Sequence, residues 1–249
     1  MKFQNESNAR QAEPVTATAP SAHGRWYADA CAASFAFELI GERWSMHVMR
    51  ELMLGARRFS DIRAALPGIS AKVLTERLTR LEELGVLIRR KLPPPAASQV
   101  YKLTEWGYMA ESFMQELGRW SVRSPLHDPT LPLTSVSAML SLRTMFDPAK
   151  AAGLAARIGF DFGADRFIAE LAHGKLAIRR AEDLAGVDAL FRAPAAGAIL
   201  PLFYGKRDPD EVAATTGLSI HGDRDAALRF AAVFSLPPKI APPDDTAMR

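Results

Sequence analysis

Residues 58–84 read RFSDIRAALPGISAKVLTERLTRLEEL, two helical patterns parted by Pro67-Gly68. Proline disfavours the helical conformation of the residue before it and glycine tolerates positive φ, so a short helix over Ser60–Leu66 is expected to end there. Ser70 is placed to cap the next helix. In that helix Val73, Leu74, Leu78, Leu81 and Leu84 form one apolar stripe, leaving Ala71, Lys72, Thr75, Glu76, Thr79 and Arg80 on the other face. Gly85 ends it. Val86–Leu92 and Gln99–Leu103 then read as strands rich in β-branched and aromatic residues, joined by Pro93-Pro94-Pro95-Ala96-Ala97-Ser98. Two helices across a tight turn followed by a strand pair predict a winged helix-turn-helix.

The flanks fit this frame. Phe35, Phe37, Leu39 and Ile40 suit a first helix ending near Gly41 or Trp44. Ser45 is expected to cap a second, with Met46, Met49, Leu52 and Met53 at helical spacing and Gly55 as its stop. A last helix opens at Thr104 and carries Met109, Phe113, Leu117 and Trp120 on one stripe, too apolar for a free surface: it reads as a contact between copies of the chain, with the domain's own core as the alternative.

At 249 residues with 48% hydrophobic side chains, two ordinary globular domains are expected. The net charge of +3 hides an uneven distribution. Residues 43–102 hold 12 Lys+Arg against 5 Asp+Glu, whereas residues 125–249 hold 14 against 15. The positive excess therefore sits on the helix-turn-helix, where phosphate neutralisation needs it. One cysteine, Cys31, excludes an intrachain disulfide and a cysteine-based zinc site. No apolar run approaches the ~20 residues needed to cross a bilayer, and residues 1–25 lack the apolar region of a signal peptide. A cytoplasmic protein with no membrane partner is the expectation.

The run LIGERWSMHVMRELMLGARRFSDIRAALPGISAKVLTERLTRLEELGVLIRRK, followed by VYKLTEWGYMAESFMQELGRW, resembles the HxlR-type winged-helix transcriptional regulators over roughly Cys31–Trp120. Arg58-Phe59, Pro67-Gly68-Ile69-Ser70, Leu74-Thr75-x-Arg77-Leu78, Gly85 and Tyr101-x-Leu103-Thr104-x-x-Gly107 carry the resemblance. It implies a homodimer, held by the first and last helices of this domain, on an inverted-repeat operator in double-stranded DNA. A helix fits the major groove and its N-terminal residues reach base edges. Ser70, Lys72, Thr75, Arg77 and Arg80 are the candidates there, with Arg77 alternatively lying over Glu51 or Asp61. Arg89, Arg90, Lys91, Ser98 and Gln99 of the wing are candidates for backbone or minor-groove contact, though strand alternation points only some of them outward.

The same resemblance implies a second role for Cys31, since several members sense oxidants or electrophiles through a cysteine just before the first helix. A reactive thiol needs a helix N-terminus or a nearby cation, and Cys31 is expected at or just inside such an N-terminus, where the dipole would help. Ala30, Ala32, Ala33 and Asp29 supply no positive charge, and Ala32 stands where the family has proline. The residue therefore reads as a small buried apolar side chain, with a thiol sensor as the alternative.

Beyond a linker at Ser124–Pro132, alternating runs at Met139–Phe146, Ile158–Phe162, Arg166–Leu171, Lys175–Arg180, Ala189–Arg192 and Gly217–His221 suggest strands. Helices are expected at Pro148–Ala156, Gly197–Tyr204 and Arg224–Phe234. The sequence DFGADRFIAELAHGKLAIRR, the segment around Leu200, Leu202, Phe203 and Gly205, and Leu218-Ser219-Ile220-x-Gly222-Asp223 are similar to the sterol carrier protein fold. That similarity implies an apolar tunnel for fatty-acyl, sterol or other apolar molecules. Phe146, Phe160, Phe162, Phe167, Leu200, Phe203 and Phe234 are its candidate lining, with His173 or Tyr204 as polar anchors; each aromatic also reads as an ordinary core residue. No nucleophile elbow, phosphate loop, metal cluster or cofactor motif is present in the sequence, so an enzyme is not expected.

The expected fold class is thus α+β. A tail over 1–25 precedes a winged helix-turn-helix domain over 26–124; a linker over 125–134 leads to an α+β sterol-carrier-like domain over 135–236 and a tail over 237–249. The expected function is a homodimeric DNA-binding regulator, a repressor, whose operator affinity responds to an apolar or aromatic small molecule. The alternatives are a regulator that senses through Cys31, with a purely structural second domain, and a lipid carrier.

Overall fold

The computed structural model describes residues 29–93 and 98–241, in two units divided between Arg43 and Trp44. The tail over 1–25 and most of the wing tip lie outside the described residues. In the first unit α1 (Ala32–Ile40) follows Cys31 at its N-cap and buries none of its residues. The Asp29 carboxylate accepts from the Cys31 N–H at 2.9 Å and from the Ser34 hydroxyl.

The second unit begins with α2 (Ser45–Leu52), preceded by Trp44 in the left-handed region at φ 78°, so Ser45 is the first helical residue and not the cap. Then come β1 (Arg57–Arg58), α3 (Phe59–Ala65) and α4 (Ala71–Glu83). The Ser70 hydroxyl accepts from the Val73 N–H at 3.2 Å, while Leu74, Leu78 and Leu81 are buried beneath α4. Strands β2 (Leu87–Lys91) and β3 (Gln99–Leu103) form the wing, with β3 central in the antiparallel order β1-β3-β2. Thr104 caps α5 (Glu105–Ser121) by accepting from the Gly107 N–H at 3.0 Å. A Cβ at Gly107 would lie 2.1 Å from the Val86 carbonyl oxygen, so only glycine lets α5 approach the start of the wing.

The remainder is built on a five-stranded mixed sheet. Its elements are α6 (Ser135–Thr144), β4 (Ala156–Asp161), β5 (Arg166–Ala172), β6 (Lys175–Arg180) and β7 (Ala189–Arg192), then a 3-10 turn (Ala196–Ile199), α7 (Leu200–Phe203), α8 (Pro209–Thr216), β8 (Ser219–Gly222) and α9 (Arg224–Ala232). The order is β6-β5-β4-β7-β8, antiparallel except for the β4–β7 pair. His173 at φ 51° and Gly174 at φ 69° make the β5–β6 turn. Tyr204 gives its hydroxyl to a 2.7 Å contact with Ser141, and burial pushes its phenol well above the usual range.

Several expectations are corrected. Met139–Phe146 is not a strand: Met139, Leu140 and Leu142 are buried within α6, which also buries Val136, Ser137, Ala138 and Thr144. A helix buried nearly all round loses the one-sided periodicity that identifies helices from sequence. Pro148–Ala156 is not a helix but a series of turns ending at β4, with Gly153 at φ 73°. Helix α8, not anticipated, is started by the Asp208 carboxylate, which accepts from the Asp210 and Glu211 N–H groups, and by Pro209 in its first turn.

The stretch 125–134 does not separate two independent bodies. Helix α6 packs against both α2 and α5, and the winged helix and the sheet fall in one compact unit. Nor does the described chain become a free tail at 237. The Lys239 ammonium donates to the Val122 and Ser124 carbonyls at 2.8 Å each, and the Ile240 N–H donates to the Arg123 carbonyl at 2.8 Å. This strap holds the C-terminal end of α5, where carbonyls lack helical partners. Residues 242–249 lie outside the described residues.

Candidate nucleic-acid interface

The N-terminal half of α4 presents Lys72 with its side chain 87% exposed, and Thr75 beside it. The Lys72 ammonium stands 4.0 Å from Glu76, a loose surface pair that leaves the charge available. Thr75 turns its hydroxyl back to the Ala71 carbonyl at 2.9 Å, and Ser70 is occupied as the cap, though its hydroxyl lies on the exposed side. Arg77 is half-buried with its Nε withdrawn from solvent, and Arg80 pairs with Glu83 at 3.6 Å. Structure thus separates Lys72 and Thr75, which face outward, from Arg77, which does not.

The wing divides similarly. Arg89 lies across from Tyr101, with its guanidinium 5.8 Å from the ring centroid, and donates to the Glu82 carboxylate of α4 at 2.6 Å. That ion pair raises the arginine pKa further above its ordinary value. Arg90 and Lys91 are exposed on opposite faces of β2, as alternation requires. Gln99 donates to the Tyr101 hydroxyl at 3.1 Å, and the Ser98 hydroxyl is buried.

The outer stripe of α5 is apolar and, among the described residues, exposed. Trp106, Met109, Phe113, Leu117 and Trp120 are 49%, 69%, 40%, 46% and 76% exposed. The inner side of the same helix meets α6, where Arg143 donates to both oxygens of Glu111 at 2.8 and 3.0 Å and the Arg119 Nε donates to the Thr144 carbonyl. Cys31 is exposed, which corrects the reading of a buried apolar residue. The backbone N–H groups of Ser34, and then Ala33, hold its thiol below the ordinary range, as expected for a helix start.

Behind the helix-turn-helix lies a polar interlock that the sequence did not reveal. Glu51 is fully buried and accepts from the Arg50 guanidinium at 3.1 Å, from the Arg57 Nη1 at 2.7 Å and from the Thr134 hydroxyl at 2.8 Å. Arg57 also stands 3.7 Å from Asp165, at the β4–β5 turn. Asp165 accepts in turn from the Ser135 hydroxyl at 2.8 Å and from Arg180. Burial alone would push the Asp165 carboxyl up; Arg180, Ser135 and Arg57 outweigh it and hold the group below its usual range. The one sequence cue was a glutamate set among Val48, Met49, Leu52 and Met53, all buried.

The proposed effector-lining aromatics are brought together as a cluster in mutual contact. Phe160, Phe167, Phe203 and Phe234 are fully buried, Phe162 is nearly so, Phe146 joins the cluster through Phe234, and Leu200 is partly exposed. Phe203 meets Phe160, Phe191, Phe230 and Phe234 with centroids 5.1–6.2 Å apart. Phe191 and Phe230, both absent from the sequence-based set, are equal members. His173 sits on the exposed β5–β6 turn, away from the buried set. Among the described residues no group of three or more His, Cys, Asp or Glu is arranged to hold a metal, and no helix is long and apolar enough to cross a membrane.

The sequence profile described as HxlR-like helix-turn-helix matches residues 39–126. The transcriptional regulator YodB of Bacillus subtilis is 38% identical over 86 residues, which cover 34% of this chain and 77% of YodB. YvaP of the same organism, named as an uncharacterized HTH-type transcriptional regulator, is 36% identical over 34% of this chain and 80% of its own length. Among solved structures, the reduced form of B. subtilis YodB superposes with a TM-score of 0.37 and 34% identity, covering 40% of this chain and 100% of the other. The reduced form of the redox regulator HypR gives 0.35 and 26%, covering 36% and 90%. The B. subtilis relatives carry the names of transcriptional regulators, and HypR that of a redox regulator.

Proposed function

Because the chain belongs to the HxlR-like helix-turn-helix family and is a DNA-binding transcriptional regulator, we propose that it acts as a cytoplasmic homodimer on an inverted-repeat operator, as a repressor. The observation that carries this reading is the Ser70-capped α4, whose Lys72 and Thr75 face outward at the helix start. Such a helix enters the major groove with its N-terminal residues against base edges, and a two-fold dimer sets its half-sites roughly 34–36 Å apart. The exposed stripe of α5 supplies the dimer contact. The mixed-sheet half acts as a sterol-carrier-like module for an apolar or aromatic effector; the aromatic cluster and the shared interlock support it. An effector regulates only by binding one dimer geometry better than another.

An operator selected from random duplexes tests the first part. Lys72→Ala with Thr75→Ala is expected to weaken binding to that operator by about tenfold or more, at roughly 1–3 kcal/mol per lost base contact, while non-specific binding changes little. Unchanged operator affinity in the double variant would remove α4 from the reading surface.

The exposure and lowered pKa of Cys31 favour a second reading, in which this thiol is the sensor and the sheet half is structural. Electrophile or oxidant treatment should then release the operator from the wild type and leave Cys31→Ser bound. An identical response in both proteins excludes it.

A further inference from the structure

We infer that Arg180 is a receptor for the carboxylate of a small apolar effector, a reading that deepens and rests on the effector role proposed for the sheet half. Arg180 closes β6 opposite Phe167, whose ring centroid lies 5.0 Å from the guanidinium carbon. Its stem lies against the loop after α2, with Cδ 3.9 Å from where a Cβ on Gly55 would stand. Nη1 donates to Asp165. Nε and Nη2 are buried and have no hydrogen-bond partner.

Those two nitrogens form one edge of the guanidinium. Their N–H bonds run parallel in its plane, the fork that matches a carboxylate with two hydrogen bonds. Phe167 covers a face of the group and cannot satisfy donors lying in its plane. Leaving a charged donor buried and unpaired is costly, and such groups in folded proteins call for an explanation. Charge points the same way. The ion pairs of the interlock join Arg50, Arg57 and Arg180 to Glu51 and Asp165, three cations to two anions. One bound monoanion balances them.

The surroundings define the rest of the ligand. Phe167 adjoins Phe162, at 6.4 Å between centroids, and through it the aromatic cluster, so a carboxylate on the fork places its substituent beside apolar rings. The anion also has a route to the DNA-binding half. It shares the Arg180 guanidinium with Asp165, which holds Nη1, and Asp165 is the partner of Arg57, which directly precedes Arg58, the N-cap of α3. A ligand on the fork therefore alters the contacts of the strand that positions the helix-turn-helix.

The test is titration calorimetry of the full chain with dodecanoate, benzoate and the methyl ester of each, in the wild type, Arg180→Gln and Arg180→Lys. At least one acid is expected to bind the wild type about tenfold or more tighter than its ester, the scale of a charge-assisted pair of hydrogen bonds. Both variants should lose that preference, because lysine keeps the charge and lacks the fork. The Arg180 Nε–H resonance should move with the acid and not with the ester, a readout that requires no variant. Equal binding of acid and ester overturns the carboxylate receptor and leaves the apolar effector standing. An acid preference that survives in Arg180→Lys or Arg180→Gln, or that leaves the Nε–H resonance unmoved, also overturns it. Binding of none of the four compounds overturns the receptor and the effector reading together.

Discussion

If the chain pairs through α5 as proposed, Phe113→Glu is expected to convert that dimer to monomer and to abolish tight operator binding without unfolding the chain. Phe113 is 40% exposed at the centre of the α5 stripe, between Met109 and Leu117. A central aromatic anchor is worth about 2 kcal/mol or more to an interface. A two-fold interface contains it twice, so about 4 kcal/mol is lost, roughly a thousandfold in dimer affinity. The glutamates add repulsion if the stripes meet face to face. Because the stripe faces away from α6, the monomer should stay folded, its melting temperature falling only by what association contributed at the protein concentration used. Sedimentation equilibrium measures the association and gel shift measures the operator; a variant that stays dimeric would show that the copies meet elsewhere.

The second large effect is at Glu51. Glu51→Ala strips the buried partner from Arg50, Arg57 and Thr134 at once. Intact buried ion pairs add little net stability, because desolvation offsets the attraction, but removing one member strands the other charge and costs about 3–5 kcal/mol. The Arg57 side chain is only 10% exposed and has little water to turn to. For a chain of this size that loss corresponds to a fall of roughly 6–20 °C in Tm. Thermal and urea denaturation should agree on it; a loss below about 1 kcal/mol would mean that solvent or Asp165 compensates Arg57. Glu51→Gln, which keeps acceptor and shape, should fall between the two.

The contrast between these two positions explains how much was legible beforehand. The α5 stripe could be read because its neighbours are three and four residues away, and helical spacing is local. Ser70 and Thr104 were legible for the same reason, since a cap acts within its own first turn. Lys72 and Thr75 followed from the stripe they do not belong to. The Glu51 interlock could not be read, because Thr134 lies 83 residues away and no short-range pattern reports such a pairing. Helix α6 was misread as a strand through the same non-local burial. The strands of the sheet were visible by alternation and their turns by glycine. That α6 would weld the sheet to the winged helix was not, since 125–134 has the composition of a linker. Cys31 was misjudged as buried because its immediate neighbours are small and uncharged; the helix start beside it was legible, and the backbone N–H groups there are what lower the thiol pKa.

The strap of Lys239 and Ile240 joins residues 117 positions apart, Val122 and Lys239. Closing so long a loop costs little more than closing a short one, about 0.6 kcal/mol for each doubling of length, so the strap is thermodynamically inexpensive. Kinetically it is different. Such distant contacts form only after the intervening chain has organised, and, lying on an exposed surface, they open independently of the core. Hydrogen exchange should therefore find the Ile240 amide far less protected than those of β4 and β5. The C-terminal end of α5 would then be released and recaptured many times during the lifetime of a single folded molecule.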